Sequence, residues 1–261
     1  MIPFPNIDPV LIKIGPLSIR WYGLMYLIGF AASYLLVKYQ VQKKKISLSR
    51  EDLESLYTHL ILGLIIGARL GYVFFYNPGD YLKNPLELFA VWHGGMSFHG
   101  GLTGAVIAGI FFCKKHGLDF WKLGDLIAVT GPIGLGLGRL GNFINGELYG
   151  RVTDIPWGMV FPSGGSLPRH PSQLYEFLLE GVLLFTILWS LKEKNLRSGT
   201  LISLFLILYG IFRFIVEFFR EPDPQLGFII GPFTMGQALS LATTLCGVGI
   251  LFTRLRKGPL L

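Results

Sequence analysis

The chain has 261 residues, 51% of them hydrophobic and only 15% charged, where an average soluble domain carries about 25% charged. That balance excludes an ordinary water-soluble domain. The formal net charge of +7 would suit nucleic acid if the basic residues shared a face, but they gather between apolar runs, so no nucleic-acid partner is expected.

In chain order, Met1–Pro9 holds three prolines and one acid. It lacks the basic start of a cleavable signal, so the first apolar run, Leu17–Tyr39, is read as a retained helix. Further runs at about 56–76, 95–113, 122–141, 172–191, 200–219 and 232–253 have the length and hydropathy to cross a ~30 Å hydrocarbon core. Together they predict an all-α, polytopic integral membrane protein of about seven transmembrane helices. With no internal repeat or low-complexity tract, residues 1–261 read as a single transmembrane domain with an outward-facing loop region at about 142–171.

One set of alternate loops holds 14 of the 23 Lys and Arg residues, in groups at 38–50, 114–122, 192–197 and 254–257. The opposite set includes the Pro- and Gly-rich stretches Asn77–Pro85 and Arg151–Pro171. The positive-inside rule then places the N-terminus outside and the C-terminus in the cytoplasm, and every loop agrees with it. The lysine runs are read as topogenic charges facing the lipid surface, without a catalytic role.

Cys113 and Cys246 fall near the cytoplasmic ends of their helices, where thiols stay reduced, so no disulfide is expected. His93 and His99 are too weakly spaced for a metal pair, and no metal is predicted. Gly136–Gly141 fits GxGxxG, but it ends an apolar helix and follows no strand, which argues against a dinucleotide. These glycines, with Gly131 and Gly134, are read as close-packing positions for neighbouring helices or a lipid headgroup.

The informative residues are the ionisable ones inside the spans, because an arginine at the bilayer centre costs about 2.5–3.5 kcal/mol even on insertion scales. Arg69, Arg139, Arg213 and Glu217 lie toward the outer ends of helices that run outward. His99, Arg20 and Tyr22 lie near the outer starts of helices that run inward. At 1.5 Å per residue all fall within about 10 Å of the outer boundary. Arg213 and Glu217 are four apart and can pair. The three arginines then face only Glu217, with Glu147 reaching back from the loop, and the excess positive charge calls for an anion such as a phospholipid phosphate, which guanidinium binds bidentately. Arg20, Trp21 and Tyr22 read equally well as interfacial anchors, and Arg69 is open to either reading. Asn142 and Glu147 also suit helix capping. His99, flanked by Gly100 and Gly101, is a candidate base.

At these residues the sequence resembles a known family. The segment Arg139–Arg151 (RLGNFINGELYGR) is similar to the hallmark motif of the bacterial prolipoprotein diacylglyceryl transferases. Arg20–Gly23 (RWYG), His99–Leu102 (HGGL), His170–Glu176 (HPSQLYE) and Arg213–Arg220 (RFIVEFFR) match in family order. The resemblance implies a seven-helix enzyme of the bacterial inner membrane that works without a cofactor. It would move the diacylglyceryl group of phosphatidylglycerol onto the lipobox cysteine of a prolipoprotein signal peptide, releasing glycerol phosphate. It also implies catalytic roles for His99, Arg139 and Arg213. Substrate-binding roles would fall to Tyr22, Arg69, Asn142, Glu147, Gly150 and Glu217, with Gly150 giving the loop its turn. The block around His170 is read as a cap on the following helix. Two other readings stand beside this one: an anion carrier, which should place its site at the midplane between repeated halves, and a lipid-binding scaffold, which would not require His99.

Overall fold

The computed structural model describes residues 2–5, 7–15, 17–44, 46–75, 78–90, 94–222, 228–231 and 233–256. Helices dominate them, and two short antiparallel hairpins qualify the all-α expectation. β1 (Val10–Ile14) pairs with β2 (Leu17–Arg20), with Lys13 opposite Ser18 and a left-handed Gly15 between them at φ 59°. This corrects the start of the first run. Leu17–Arg20 alternates apolar and polar residues and has a partner strand, so the helix α1 begins at Trp21 and continues to Lys43. Arg20 therefore ends a strand, while Tyr22 stands in the first turn of α1.

The remaining apolar runs also become helices. These are α2 (Arg50–Phe75), the short α3 (Pro78–Lys83), α4 (Phe98–His116) and α5 (Phe120–Asn145). A continuous helix then comprises α6 (Ser172–Glu176), a π-helical segment Phe177–Leu183 and α7 (Leu184–Leu191). After it come α8 (Thr200–Val216), the hairpin β3 (Phe228–Ile230) with β4 (Phe233–Thr234), and α9 (Met235–Arg256). Among the described residues, five helices are long and apolar enough to cross a membrane: Trp21–Lys43, Arg50–Phe74, Phe120–Asn145, Ser172–Leu191 and Met235–Arg256. Their outer faces carry exposed Leu, Ile, Val and Phe, such as Leu27 and Leu35 on α1 or Leu245 and Phe252 on α9. Water would not tolerate such continuous apolar surface, and lipid requires it.

The chain divides into two compact units. In the unit Lys38–Leu123, a reciprocal capping box starts α2: Asp52 N–H donates to Ser49 Oγ at 3.0 Å and Ser49 N–H to the Asp52 carboxylate at 3.3 Å. Ser97 caps α4, accepting from Gly100 N–H at 3.2 Å. The two helices meet along small residues, Gly63, Gly67 and Gly71 against Gly100 and Gly104. This is the small-xxx-small contact by which membrane helices associate. A Cβ on Gly104 would sit 2.9 Å from Gly67 Cα and closer still to the Gly63 carbonyl. Gly104→Val should therefore push α4 off α2 at a cost of about 1–3 kcal/mol, the range for overpacking. Thermal unfolding of the detergent-solubilised protein would show it as a lowered midpoint.

In the other unit, Met1–Val37 with Gly124–Leu261, Val129 of α5, Leu184 and Leu188 of α7 and Leu201 of α8 form a buried core against Phe205 and Phe212. Glycines again set the approach distances. Gly136 and Gly181 abut, as do Gly29 and Gly134, with an added Cβ 3.0 Å or less from the facing Cα. The glycines of the GxGxxG stretch thus lie inside α5 as packing positions. Asp125 of α5 caps α8 from outside, accepting Gly199 N–H at 2.8 Å and Ile202 N–H at 2.9 Å.

Candidate functional site

Arg139 stands near the C-terminal end of α5, Glu176 and Glu180 near the start of the 172–191 helix, and Arg213 and Glu217 at the end of α8. Packing of α5 on the 172–191 helix through Gly136 and Gly181 brings these ends together. Glu176 is fully buried, and its Oε2 takes both arginines, Arg139 Nε at 2.5 Å and Arg213 Nη1 at 3.2 Å. Glu180, one helical turn further on within the π segment and equally buried, lies 4.0 Å from Arg139 Nε and 3.9 Å from Arg213 Nη1. Glu217 Oε2 pairs with Arg213 Nη2 at 2.8 Å and reaches Arg220 Nη1 at 3.9 Å.

This network corrects the charge balance expected from sequence. Among the described residues, Arg139, Arg213 and Arg220 meet Glu176, Glu180 and Glu217, so the arginines face three carboxylates where the sequence reading offered Glu217 alone within the spans. The sequence reading took 172–191 as an apolar run and left its two carboxylates out of the balance. Two ionisable residues one turn apart inside such a run were the available signal. An attachment point for an anion remains all the same. Arg139 faces Glu176 and Glu180 through Nε, and about a fifth of its side chain stays exposed (21%).

The loop after α5 is built around this cluster. Gly146, at φ 65°, makes the turn, followed by Leu148 at φ 57°. The Glu147 carboxylate accepts from Asn142 Nδ2 at 2.9 Å and Asn145 Nδ2 at 3.0 Å, and Gln173 Nε2 donates to the Glu147 carbonyl at 2.7 Å. Asn142 and Glu147 thus hold each other at the end of α5. Gly150 is not the turn. It is squeezed between two strands of chain, donating to the His170 carbonyl at 2.8 Å and bridging Arg220. A Cβ there would sit 2.6 Å from His170 Cβ. Tyr22 packs on Gly141, where a Cβ would come within 2.8 Å of its ring, and its hydroxyl lies 3.1 Å from Tyr26 Oη.

The block around His170 does cap the 172–191 helix, the His170 carbonyl accepting Ser172 N–H at 2.8 Å, and the His170 ring also clamps the loop to that helix. Pro171 occupies the N-cap, while His170 Nδ1 lies 3.2 Å from Tyr175 Oη, which also accepts from Trp157 Nε1 at 2.8 Å. Partial burial holds the His170 imidazole below its ordinary value. A depressed value means the folded loop prefers neutral imidazole, so the clamp is intact above pH ~6.5 and loosens as pH falls below it. Hydrogen-exchange protection factors over residues 152–170, which allow for the slower intrinsic exchange in acid, should be lower at pH 5.5 than at pH 7.5.

In the unit Lys38–Leu123, Arg69 is 4% exposed and spends all five N–H groups on backbone carbonyls. Nε donates to Leu88 at 3.0 Å, Nη1 to Gly94 at 2.5 Å and Gly95 at 3.1 Å, and Nη2 to Glu87 and to Ala90 at 3.2 Å. Tyr81 covers the guanidinium. Arg69 thereby ties the carbonyls of Glu87, Leu88 and Ala90 to those of Gly94 and Gly95. His99, in the first turn of α4, is exposed and lines a groove of about 1050 Å³ between α2 and α4, whose walls are apolar residues such as Leu70, Phe74 and Ile107. Cys113 is buried and Cys246 exposed, both as free thiols. Among the described residues no group of three or more His, Cys, Asp or Glu is placed to hold a metal, and His93 lies outside those residues.

Long apolar helices with exposed apolar faces, together with a cluster of three arginines around three buried carboxylates at joined helix ends, define a multi-pass helical membrane protein with a charged internal site. The family model described as prolipoprotein diacylglyceryl transferase matches residues 9–253, and the chain belongs to that family. Several curated relatives carry the name phosphatidylglycerol--prolipoprotein diacylglyceryl transferase. The protein of Desulfotalea psychrophila is 56% identical over 259 residues, covering 97% of this chain and 95% of its own. That of Geobacter sulfurreducens is 52% identical over 258 residues, covering 98% and 99%. That of Bordetella avium is 52% identical over 259 residues, covering 98% of both.

Proposed function

We propose that the chain transfers the diacylglyceryl group of phosphatidylglycerol to the thiol of the lipobox cysteine in a prolipoprotein signal peptide, the first step of bacterial lipoprotein maturation. The observation that carries this reading is the family match over residues 9–253. In the same reading the protein spans the bacterial inner membrane seven times, with its N-terminus outside and its C-terminus in the cytoplasm, and residues 1–261 act as one catalytic domain. The last turns of α1, α4 and α9 carry Lys43, then Lys114 and Lys115, then Arg254 and Arg256, which suits cytoplasmic ends. The opposite ends of the helices carry the charged site and the 142–171 loop, so the chemistry takes place near the outer face.

A cysteine thiol with a pKa of about 8.5 is mostly protonated at neutral pH, and His99 takes its proton. The thiolate attacks the glycerol carbon bonded to the phosphate oxygen. A carbon–sulfur bond forms, the carbon–oxygen bond breaks, and glycerol phosphate leaves with the electron pair. The terminal nitrogens of Arg139 meet the departing phosphate, and Arg213, held on Glu176 and Glu217, sets the field in which its charge grows. Tyr22, Asn142, Glu147, Gly150 and Glu217 shape the headgroup site, and Arg69 contributes through the backbone carbonyls it ties together.

The purified protein, phosphatidylglycerol and a lipobox peptide should give, by mass spectrometry, a diacylglyceryl adduct on the cysteine peptide and none on a Cys→Ser control. Folded protein that forms no adduct with several phospholipids would remove this reading and bring the anion-carrier or scaffold reading forward.

A further inference from the structure

The start of α9 is tied to the charged site by one hydroxyl. Thr234 and Gln237 form a buried, reciprocal capping box: Thr234 N–H donates to Gln237 Oε1 at 3.1 Å, and Gln237 N–H donates to Thr234 Oγ1 at 3.2 Å. With its lone pair used in this way, the Thr234 hydroxyl donates its own proton to Glu217 Oε1 at 3.0 Å. The other oxygen of Glu217 holds Arg213 Nη2 at 2.8 Å. Gly236 packs directly on this carboxylate, since a Cβ there would lie 2.8 Å from Glu217 Oε2 and closer still to Oε1. The carboxylate also lies against the first turn of a 22-residue helix, whose free N–H groups favour a negative charge.

We propose that Thr234 is a positioning residue for transfer: its capped hydroxyl fixes the Glu217 carboxylate and through it the Arg213 guanidinium, with Gly236 supplying the space. This rests on the transferase reading, in which Arg213 acts on the departing phosphate. Thr234→Val keeps the shape but loses both the donor and the cap acceptor. Gly236→Ala keeps the helix, because the group displaced is the free end of a side chain, and shifts the carboxylate directly.

The test uses the full-length protein in phosphatidylglycerol nanodiscs with a lipobox peptide, measuring kcat and KM, alongside nitrogen-15 spectra of the arginine side chains. Thr234→Val and Gly236→Ala are expected to lower kcat about tenfold or more, as loss of a hydrogen bond to a charged group implies, with peptide KM within about twofold. Thr234→Ser, which keeps the hydroxyl, should restore wild-type kcat. In the spectra, the slowly rotating Arg213 guanidinium of the wild type should become mobile in Thr234→Val and not in Thr234→Ser. A wild-type kcat in Thr234→Val, or an equal loss in Thr234→Ser, overturns the proposal. If the wild type itself makes no adduct, the transferase reading falls instead, and an unchanged Arg213 signal in Thr234→Val would still refute the positioning link.

Discussion

Glu176→Gln should abolish most transfer, lowering kcat by a hundredfold to a thousandfold, while Glu180→Gln should cost much less. One Glu176 oxygen carries both Arg139 and Arg213, at 2.5 and 3.2 Å. Glu180 stands 3.9–4.0 Å from the same two groups. Both carboxylates are fully buried. Removing one partner of a buried pair costs about 3–5 kcal/mol, because the surviving charge has no water to turn to. At 1.36 kcal/mol per tenfold, that range is worth about 150-fold to 5,000-fold, and the expected fall in kcat is the share of it felt in the transition state. Part of it will appear as lost stability, so the thermal midpoint has to be measured beside kcat. The decisive comparison is between the two glutamines. Equal damage from Glu180→Gln would mean that the cluster responds to total charge, and that the shared oxygen of Glu176 has no special place in it.

That comparison also shows where sequence reasoning reached and where it stopped. The membrane class, the order of the helices and the placement of Arg139, Arg213, Glu217 and His99 near helix ends are legible, because hydropathy and loop charge act locally along the chain. Family membership was legible from contiguous blocks such as Arg139–Arg151. Pairing was less so. The sequence assigns Glu176, the last residue of the block His170–Glu176, no role, since its partners lie on α5 and α8 and only packing through Gly136 and Gly181 brings them to it. Leu17–Arg20 was misread as helix for a similar reason, because its apolar residues suit either state and the strand that decides the matter is Val10–Ile14. Gly150 shows the same limit. A glycine in a loop suggests a turn, whereas here the turn is Gly146 and Gly150 is a point of contact with His170 and Arg220. Thr234 and Gln237 went unremarked, although the Thr-x-x-Gln spacing at the head of an apolar run is itself a capping signal.

Arg139→Lys preserves the charge and should nonetheless cost at least about a hundredfold in kcat. In the proposed reading Arg139 divides its guanidinium between two tasks. Nε faces Glu176 at 2.5 Å, and the exposed part of the guanidinium meets the phosphate. A lysine has one nitrogen on a flexible stem and cannot do both with fixed geometry. If its ammonium stays on Glu176, the phosphate loses its donors; if it turns to the phosphate, Glu176 loses a partner and Arg213 shifts. Either way a preorganised donor pair is missing where charge develops, an effect worth about 2.7–4 kcal/mol for one donor in other enzymes. The loss should fall on kcat, with the Kd for phosphatidylglycerol changing little, because a point charge still attracts the headgroup of the resting lipid. Near-normal kcat in Arg139→Lys would mean that charge alone suffices, and the fork geometry assigned to this residue would have to be abandoned.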